Sequence, residues 1–354
     1  MTSSHAKPRR LPLWGRILLG VLGAVTAAAV ALGAVYGVLY AMGRHSLTGR
    51  GSALSAPESL IDEADDGLHR VTYQGVTYRF NPNVVSVLIM GLDKDDIGTA
   101  DGYGQNGQAD CLFVAAIDTA SGATRIIPLS RESMVEVNVY GKGGGYAGVE
   151  KTQLCLAYAY GATGEESCEN VVRSVRRLLY GVDINAYAAI DLEGLAALTD
   201  KAGGLTVTAP DTVNSPKLYV AKGQTVTLNG DKATTYIQYR DNDVNANNRR
   251  IQRQKQFLGA FIKKVKGQLA EDPTRLTGYW DTAAPYLVTD LTLSRLTYLV
   301  SCGLTAADPE YLSITGETVM GEKYVEFYPD TTSVYEAVLT AFYTPEESEE
   351  APTP

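Results

Sequence analysis

Hydrophobic positions along the chain fall into three patterns. Residues 17–42 (ILLGVLGAVTAAAVALGAVYGVLYAM) carry no charge. At about 1.5 Å per residue this run makes roughly 39 Å of helix, enough to cross a hydrocarbon layer of about 30 Å with tilt. Lys7, Arg9, Arg10 and Arg16 precede it, which predicts a cytoplasmic N-terminus and a single-pass anchor in the cell membrane. A cleaved signal peptide fits less well, because its apolar core is usually shorter. After a Ser/Gly/Ala/Pro-rich stretch at 47–59, residues 72–80 alternate around a Gly turn and predict a lead-in hairpin. Three continuous apolar runs, 84–90, 111–117 and 124–128, then predict buried strands.

Beyond these runs the period changes. Helical spacing appears at 152–161 and at 168–180, where Val171, Val172, Val175, Leu178 and Leu179 share a face, and again at 192–201, 230–239, 291–300 and 331–342. Short strands are predicted at 186–190, 205–208, 224–228, 312–314 and 325–327. Ile251, Leu258, Phe261, Ile262 and Val265 mark one side of a strongly amphipathic helix. Strands alternating with helices predict a three-layer α/β/α domain with a mixed central sheet. The expected organisation is a basic tail at 1–16, a transmembrane helix at 17–42, linker and hairpin at 43–83, the α/β domain at 84–343, and an acidic tail at 344–354.

Composition narrows the chemistry. With 45% hydrophobic and 20% charged residues the chain is globular, and its net charge of −9 argues against a nucleic-acid partner. His5, His45 and His69 all precede the α/β region, which disfavours His-based triads and His-ligated zinc. Cys111, Cys155, Cys168 and Cys302 show no C-x-x-C spacing. The short turn at 161–166 could bring Cys155 and Cys168 within disulfide reach; the other reading is four small buried thiols.

Asp93 follows the first buried strand and Asp110 opens the second. Two carboxylates at neighbouring strand ends could hold a hard divalent ion such as Mg2+, or could simply be turn residues. Arg131 follows the third strand, and Arg240 ends a helical run. Arg250, Arg253 and Gln254 fall within an arc of about 100° at the start of the amphipathic helix. Basic residues oppose the helix dipole there, and a bound phosphate would relieve the conflict. The other reading is a solvated basic turn. No G-x-S-x-G or Walker A motif announces a nucleophile or a nucleotide.

In order and spacing these residues resemble the LytR–CpsA–Psr family of membrane-anchored bacterial cell-wall ligases. The likeness runs through Gly91-Leu92-Asp93, Gln108-Ala109-Asp110-Cys111, Ser130-Arg131-Glu132-Ser133, and Ala157-Tyr158-Ala159-Tyr160-Gly161. It continues through Asp191 to Gly194 with Gly203-Gly204, Lys222-Gly223, Leu228 to Ala233, Tyr236 to Arg240, then Arg250, Arg253, Gln254 and Leu258, and ends at Tyr328-Pro329-Asp330. The resemblance implies a Mg2+-dependent phosphotransferase with a pyrophosphate-cleaving side activity. It would pass a glycopolymer phosphate from a polyprenyl-pyrophosphate carrier to a peptidoglycan hydroxyl. It further implies Asp93 and Asp110 as metal ligands and catalytic residues with Arg131. Arg131, Arg240, Arg250, Arg253 and Gln254 would bind the pyrophosphate, and apolar residues between the layers would take the lipid. Gln108 and Gln238 stand where the family usually has arginine, and Glu132 where it has aspartate. A non-catalytic polyprenyl-pyrophosphate or wall-polymer binding protein of the same fold is therefore the alternative.

Overall fold

The computed structural model describes residues 30–31, 33–47, 63–64, 69–93, 102–241, 243 and 246–346. Its centre is a six-stranded sheet in the order Leu287–Thr289, Ala186–Ile190, Val84–Leu92, Ala109–Asp118, Thr124–Leu129, Glu310–Tyr311. Val84–Leu92 runs parallel to Ala186–Ile190, and Thr124–Leu129 parallel to Glu310–Tyr311; the other neighbours are antiparallel, so the sheet is mixed.

Side chains alternate across a strand, and here both sets are buried. Leu88, Met90, Leu112 and Val114 join Val171 and Val175 of the helix Gly164–Leu178 and Val334 and Val338 of the helix Thr331–Phe342. On the opposite face, Val85 and Val87 meet Tyr298 and Leu299 of the helix Leu293–Gly303. There too, Phe113, Ala115 and Ile126 meet Leu258 and Ile262 of the long helix Ala246–Glu271. Helices thus cover both faces. Burial on both sides is why the strands read as unbroken apolar runs.

Helix starts coincide with side-chain caps, which satisfy backbone N–H groups left open in the first turn. Thr163 accepts from Glu166 N at 3.2 Å, Asp191 from Gly194 N at 2.7 Å, Asn229 from Lys232 N at 3.2 Å and Asp330 from Ser333 N at 2.8 Å. Residues 152–161 divide between a strand, Tyr146–Gln153, and a 3₁₀ turn, Leu154–Ala159. The strand pairs with Met134–Tyr140. The strand expected at 312–314 lies instead at Glu310–Tyr311. Residues 344–345, expected in the tail, extend the strand Tyr343–Pro345 that pairs with Val76–Phe80. Residues 347–354 lie outside the described residues.

The transmembrane expectation is corrected. Among the described residues no helix is long and apolar enough to cross a membrane. Residues 1–29, including the basic tail and the first half of the expected span, lie outside the described residues. Residues 30–31 and 33–47 are helical. This helix presents Tyr36, Tyr40, Gly43 and Leu47, at helical spacing, to the domain. Tyr36 Oη lies 2.5 Å from Ser301 Oγ, Tyr40 meets Tyr298 edge-on with centroids 5.1 Å apart, and Leu47 is buried. A side chain at Gly43 would collide with the Ser294 carbonyl. The last turns of the described helix dock on the domain and take in Arg44, His45 and Ser46, while Val30, Val35, Val38 and Met42 along it are exposed. The single-pass anchor and the cell-membrane localisation rested on that span and are withdrawn with it.

Candidate functional site

The site forms where the sheet's central pair loses register. Val84–Leu92 and Ala109–Asp118 pair without a break until Gly91, opposite Cys111; Leu92 then faces Ala109, which leaves Asp110 as the extra residue of a β-bulge. A bulge bends the strand and re-aims its side chain. Asp93 leaves the sheet one residue beyond Leu92, so both carboxylates stand at the same end of the sheet.

Three guanidinium groups converge on Asp110. Arg131 Nε lies 3.2 Å from Oδ1, while Arg250 Nη1 and Arg240 Nη2 lie 3.3 and 3.7 Å from Oδ2. Each arrives from a different element: Arg131 just beyond the strand Thr124–Leu129, Arg240 beyond the helix Gly230–Gln238, and Arg250 from the first turns of the long helix. Arg131 also donates through Nη2 to Gln108 Oε1 and to Cys155 Sγ, the latter at 3.2 Å. Arg250 donates through Nη2 to Asn247 Oδ1 at 2.8 Å, and its buried Nε has no hydrogen-bond partner among the described residues. Burial, reinforced by the neighbouring Arg240, pushes Arg250 down to about 10, which leaves it cationic at neutral pH. Three cations share one carboxylate, an excess suited to an anion.

Asp93 is exposed and accepts from Gln238 Nε2 at 3.2 Å. Asp93 and Asp110 offer only oxygen. Among the described residues no group of three or more His, Cys, Asp or Glu side chains could hold a metal ion alone. The donor set therefore suits an ion that takes its other ligands from phosphate and water.

Both aspartates, Gln238, Arg250 and Gln254 line one end of a cleft of about 490 Å³. The sheet forms one wall with Val87, Ile89, Phe113 and Ala115; the long helix forms another with Phe257, Leu258, Phe261, Ile262 and Val265. From Gln254 to Leu269 the helix covers about 22 Å along the cleft.

The structure thus brings together Asp93, Asp110, Arg131, Arg240, Arg250 and Gln254. It does not bring in Arg253. That side chain, 1% exposed, donates to Asp211, to Tyr236 O at 3.0 Å and to Tyr239 O. Sequence reasoning overlooked Asn247, Cys155 and Asp211, since no motif marks a residue that only holds another. The four cysteines are free. Cys155 lies against Arg131 while Cys168 sits in the core, so the candidate bridge is absent.

With this geometry in view, a family model, LytR_cpsA_psr, matches residues 61–340. The chain belongs to the LytR_cpsA_psr family. It is 26% identical over 262 residues to the polyisoprenyl-teichoic acid–peptidoglycan teichoic acid transferase TagV of Bacillus subtilis, covering 70% of this chain and 61% of TagV. Against TagU of Enterococcus faecalis it is 27% identical, covering 52% of this chain and 55% of TagU. The matches therefore span less than two thirds of these relatives. The crystal structure of B. subtilis TagV shares the fold with a TM-score of 0.60 at 23% identity, over 74% of this chain and 96% of that one. A structure of TagT bound to LI-WTA gives 0.55 at 20% identity, over 83% and 97%.

Glu132, the departure from the family's aspartate, is buried beside this cluster. Burial lifts its carboxyl above the usual range, although Arg240, Arg131 and Arg250 oppose the shift. The folded chain then holds this proton more tightly than the unfolded chain does. Stability is therefore lost as pH rises from about 4.3, the usual glutamate value, through the raised value. Glu132→Gln should consequently raise Tm relative to the parent at pH 7 and leave it unchanged near pH 3.5. Thermal unfolding at both pH values checks this; a variant less stable at pH 7 would refute it.

Proposed function

We propose that this chain is a phosphotransferase that moves a glycopolymer phosphate from a polyprenyl-pyrophosphate carrier to a peptidoglycan hydroxyl. The observation that carries the reading is the three-arginine cluster around Asp110 at the polar end of a long apolar cleft. An isoprenoid chain matches the apolar walls, and a pyrophosphate matches the surplus of guanidinium charge. Membership of the family, and the names of the TagV and TagU relatives, support the same substrates.

In this reading the lipid lies between the sheet and the long helix, with its pyrophosphate among Arg131, Arg240 and Arg250. Gln254 adds an amide donor. The acceptor oxygen forms a bond to the glycopolymer phosphorus while the bond from that phosphorus to the bridging oxygen breaks. Polyprenyl phosphate departs with the bridging oxygen, and the hydroxyl proton is released to solvent. Little covalent work falls to the protein; positioning and charge neutralisation do most of it. Asp93 and Asp110 would hold Mg2+, which when bound neutralises pyrophosphate charge. Gln238 keeps Asp93 at the mouth of the cleft, and Gln108 keeps Arg131 turned toward Asp110. Without an acceptor glycan, water would take the same phosphate as a side reaction.

The test is turnover of a polyprenyl-pyrophosphate-linked saccharide by the purified protein, with and without Mg2+. Asp93→Ala should lower turnover by about 100-fold or more and leave Tm unchanged, because an exposed loop carboxylate contributes charge rather than packing. Equal turnover in variant and parent removes the metal assignment. Tight donor binding with no cleavage in the parent removes the transferase and leaves the binding-protein alternative.

A further inference from the structure

The helix Leu293–Gly303 forms part of the apolar cleft's wall and is one helix thick. Leu296, Leu299, Val300 and Gly303 face the cleft. At 100° per residue, Ser294, Tyr298 and Ser301 lie roughly 180° around the axis from them. On that outer side they meet the helix of residues 33–47, which precedes the family match at 61–340.

The two helices are held close by contacts along the whole junction. Gly43 stands where any side chain would strike the Ser294 carbonyl, so only glycine permits this approach. Tyr40 meets the Tyr298 ring edge-on, and buried Leu47 belongs to the same cluster as Leu299, Val85 and Val87. Ser46 Oγ accepts from Arg295 Nε at 3.2 Å, and Arg295 Nη1 donates to Asp290 Oδ2 at 3.3 Å. Asp290 Oδ1 in turn accepts from Tyr187 N of the central sheet at 2.8 Å. A chain of hydrogen bonds thus ties helix 33–47 through the wall to the sheet.

The braced wall faces the end of the cleft away from the carboxylates. Val87, which packs with Leu299 and also lines the cleft, precedes Asp93 by six residues, or about 20 Å of extended strand. We infer that helix 33–47 is a positioning element for the lipid tail: it clamps the wall Leu293–Gly303 toward the sheet and so sets the width of the cleft's far end. This inference rests on the phosphotransfer reading and divides its cleft into two parts. The arginine cluster and the long helix hold the phosphate end, and the tail end depends on a helix outside the family match. An apolar chain gains from burial only while both walls touch it, because dispersion weakens steeply across a small gap.

The experiment is calorimetric titration of the full chain with undecaprenyl phosphate and with geranyl phosphate, in one detergent, in parallel with donor cleavage. Geranyl phosphate has two isoprene units and falls short of the braced end. Gly43→Leu, which pushes helix 33–47 off the Ser294 carbonyl, should weaken undecaprenyl phosphate binding tenfold or more and leave geranyl phosphate within twofold of the parent. Tyr40→Ala should weaken the long lipid about threefold and covers the case in which Gly43→Leu fails to fold. Tyr40→Phe keeps the ring contact and should match the parent. Parent-like affinity for undecaprenyl phosphate in both Gly43→Leu and Tyr40→Ala, an equal loss for the two lipids, or a parent that binds the two alike overturns the brace. If the selective loss is seen while the parent cleaves no donor, the brace stands and the phosphotransferase reading falls.

Discussion

Replacing Asp110 with alanine should abolish donor cleavage and also lower Tm by about 3–5 °C, a double effect that Asp93→Ala should not show. Asp110 is the one carboxylate within ion-pair distance of Arg131, Arg240 and Arg250 among the described residues. Arg250 is the costly partner, since its side chain is only 3% exposed. Removing one member of a buried pair leaves an uncompensated charge and costs about 3–5 kcal/mol. Asp110 is 23% and Arg240 37% exposed, so solvent screens part of that loss. About 2–3 kcal/mol is the expected remainder, which for a domain of this size gives the stated shift. Inorganic pyrophosphate should then raise the Tm of Asp110→Ala more than that of the parent, because an anion among the arginines replaces the missing charge. An unchanged Tm would show that other groups hold the arginines in place.

This contrast explains which parts of the site could be read in the sequence. Asp93 and Asp110 were visible because each adjoins an unbroken apolar run, and the ends of paired strands lie together in space. The bulge that turns Asp110 toward three arginines was not visible, since register depends on how Val84–Leu92 meets Ala109–Asp118. The sheet's inner strands were legible because burial on both faces leaves a continuous signal. Met134–Tyr140 was missed although Val135, Val137 and Val139 alternate, because its partner Tyr146–Gln153 carries mostly exposed residues. Arg275–Ala283, a helix of nine residues with Gly278 inside it, has too short a pattern to stand out. At the N-terminus the error ran the other way. The described helix continues past the apolar run through Arg44 and His45 to Leu47, and Tyr40 and Leu47 pack on the domain, contacts that apolarity alone does not report.

Arg253 shows the same limit in one side chain, and Arg253→Ala should destabilise the fold by about 3–4 kcal/mol. It shares an arc of the helix with Arg250, and the family resemblance implied a pyrophosphate role for both. The structure divides them. The Arg253 guanidinium donates to two backbone carbonyls, Tyr236 O and Tyr239 O, pairs with Asp211, and lies 5.3 Å from the centroid of the Tyr239 ring. These contacts fasten the end of the helix Gly230–Gln238 to the long helix, and Gln238 and Arg240 project from that end toward the site. Alanine would leave Asp211 and two carbonyls without their donor in a buried setting, where each lost partner is expensive. Arg253→Lys should recover little, because an ammonium cannot reproduce a planar fork that reaches two carbonyls and a carboxylate together. Denaturant unfolding measures the stability loss, and turnover corrected for the folded fraction should change mainly through kcat as Arg240 and Gln238 lose their anchor. If the donor KM rises while unfolding free energy stays at the parent value, Arg253 binds phosphate after all.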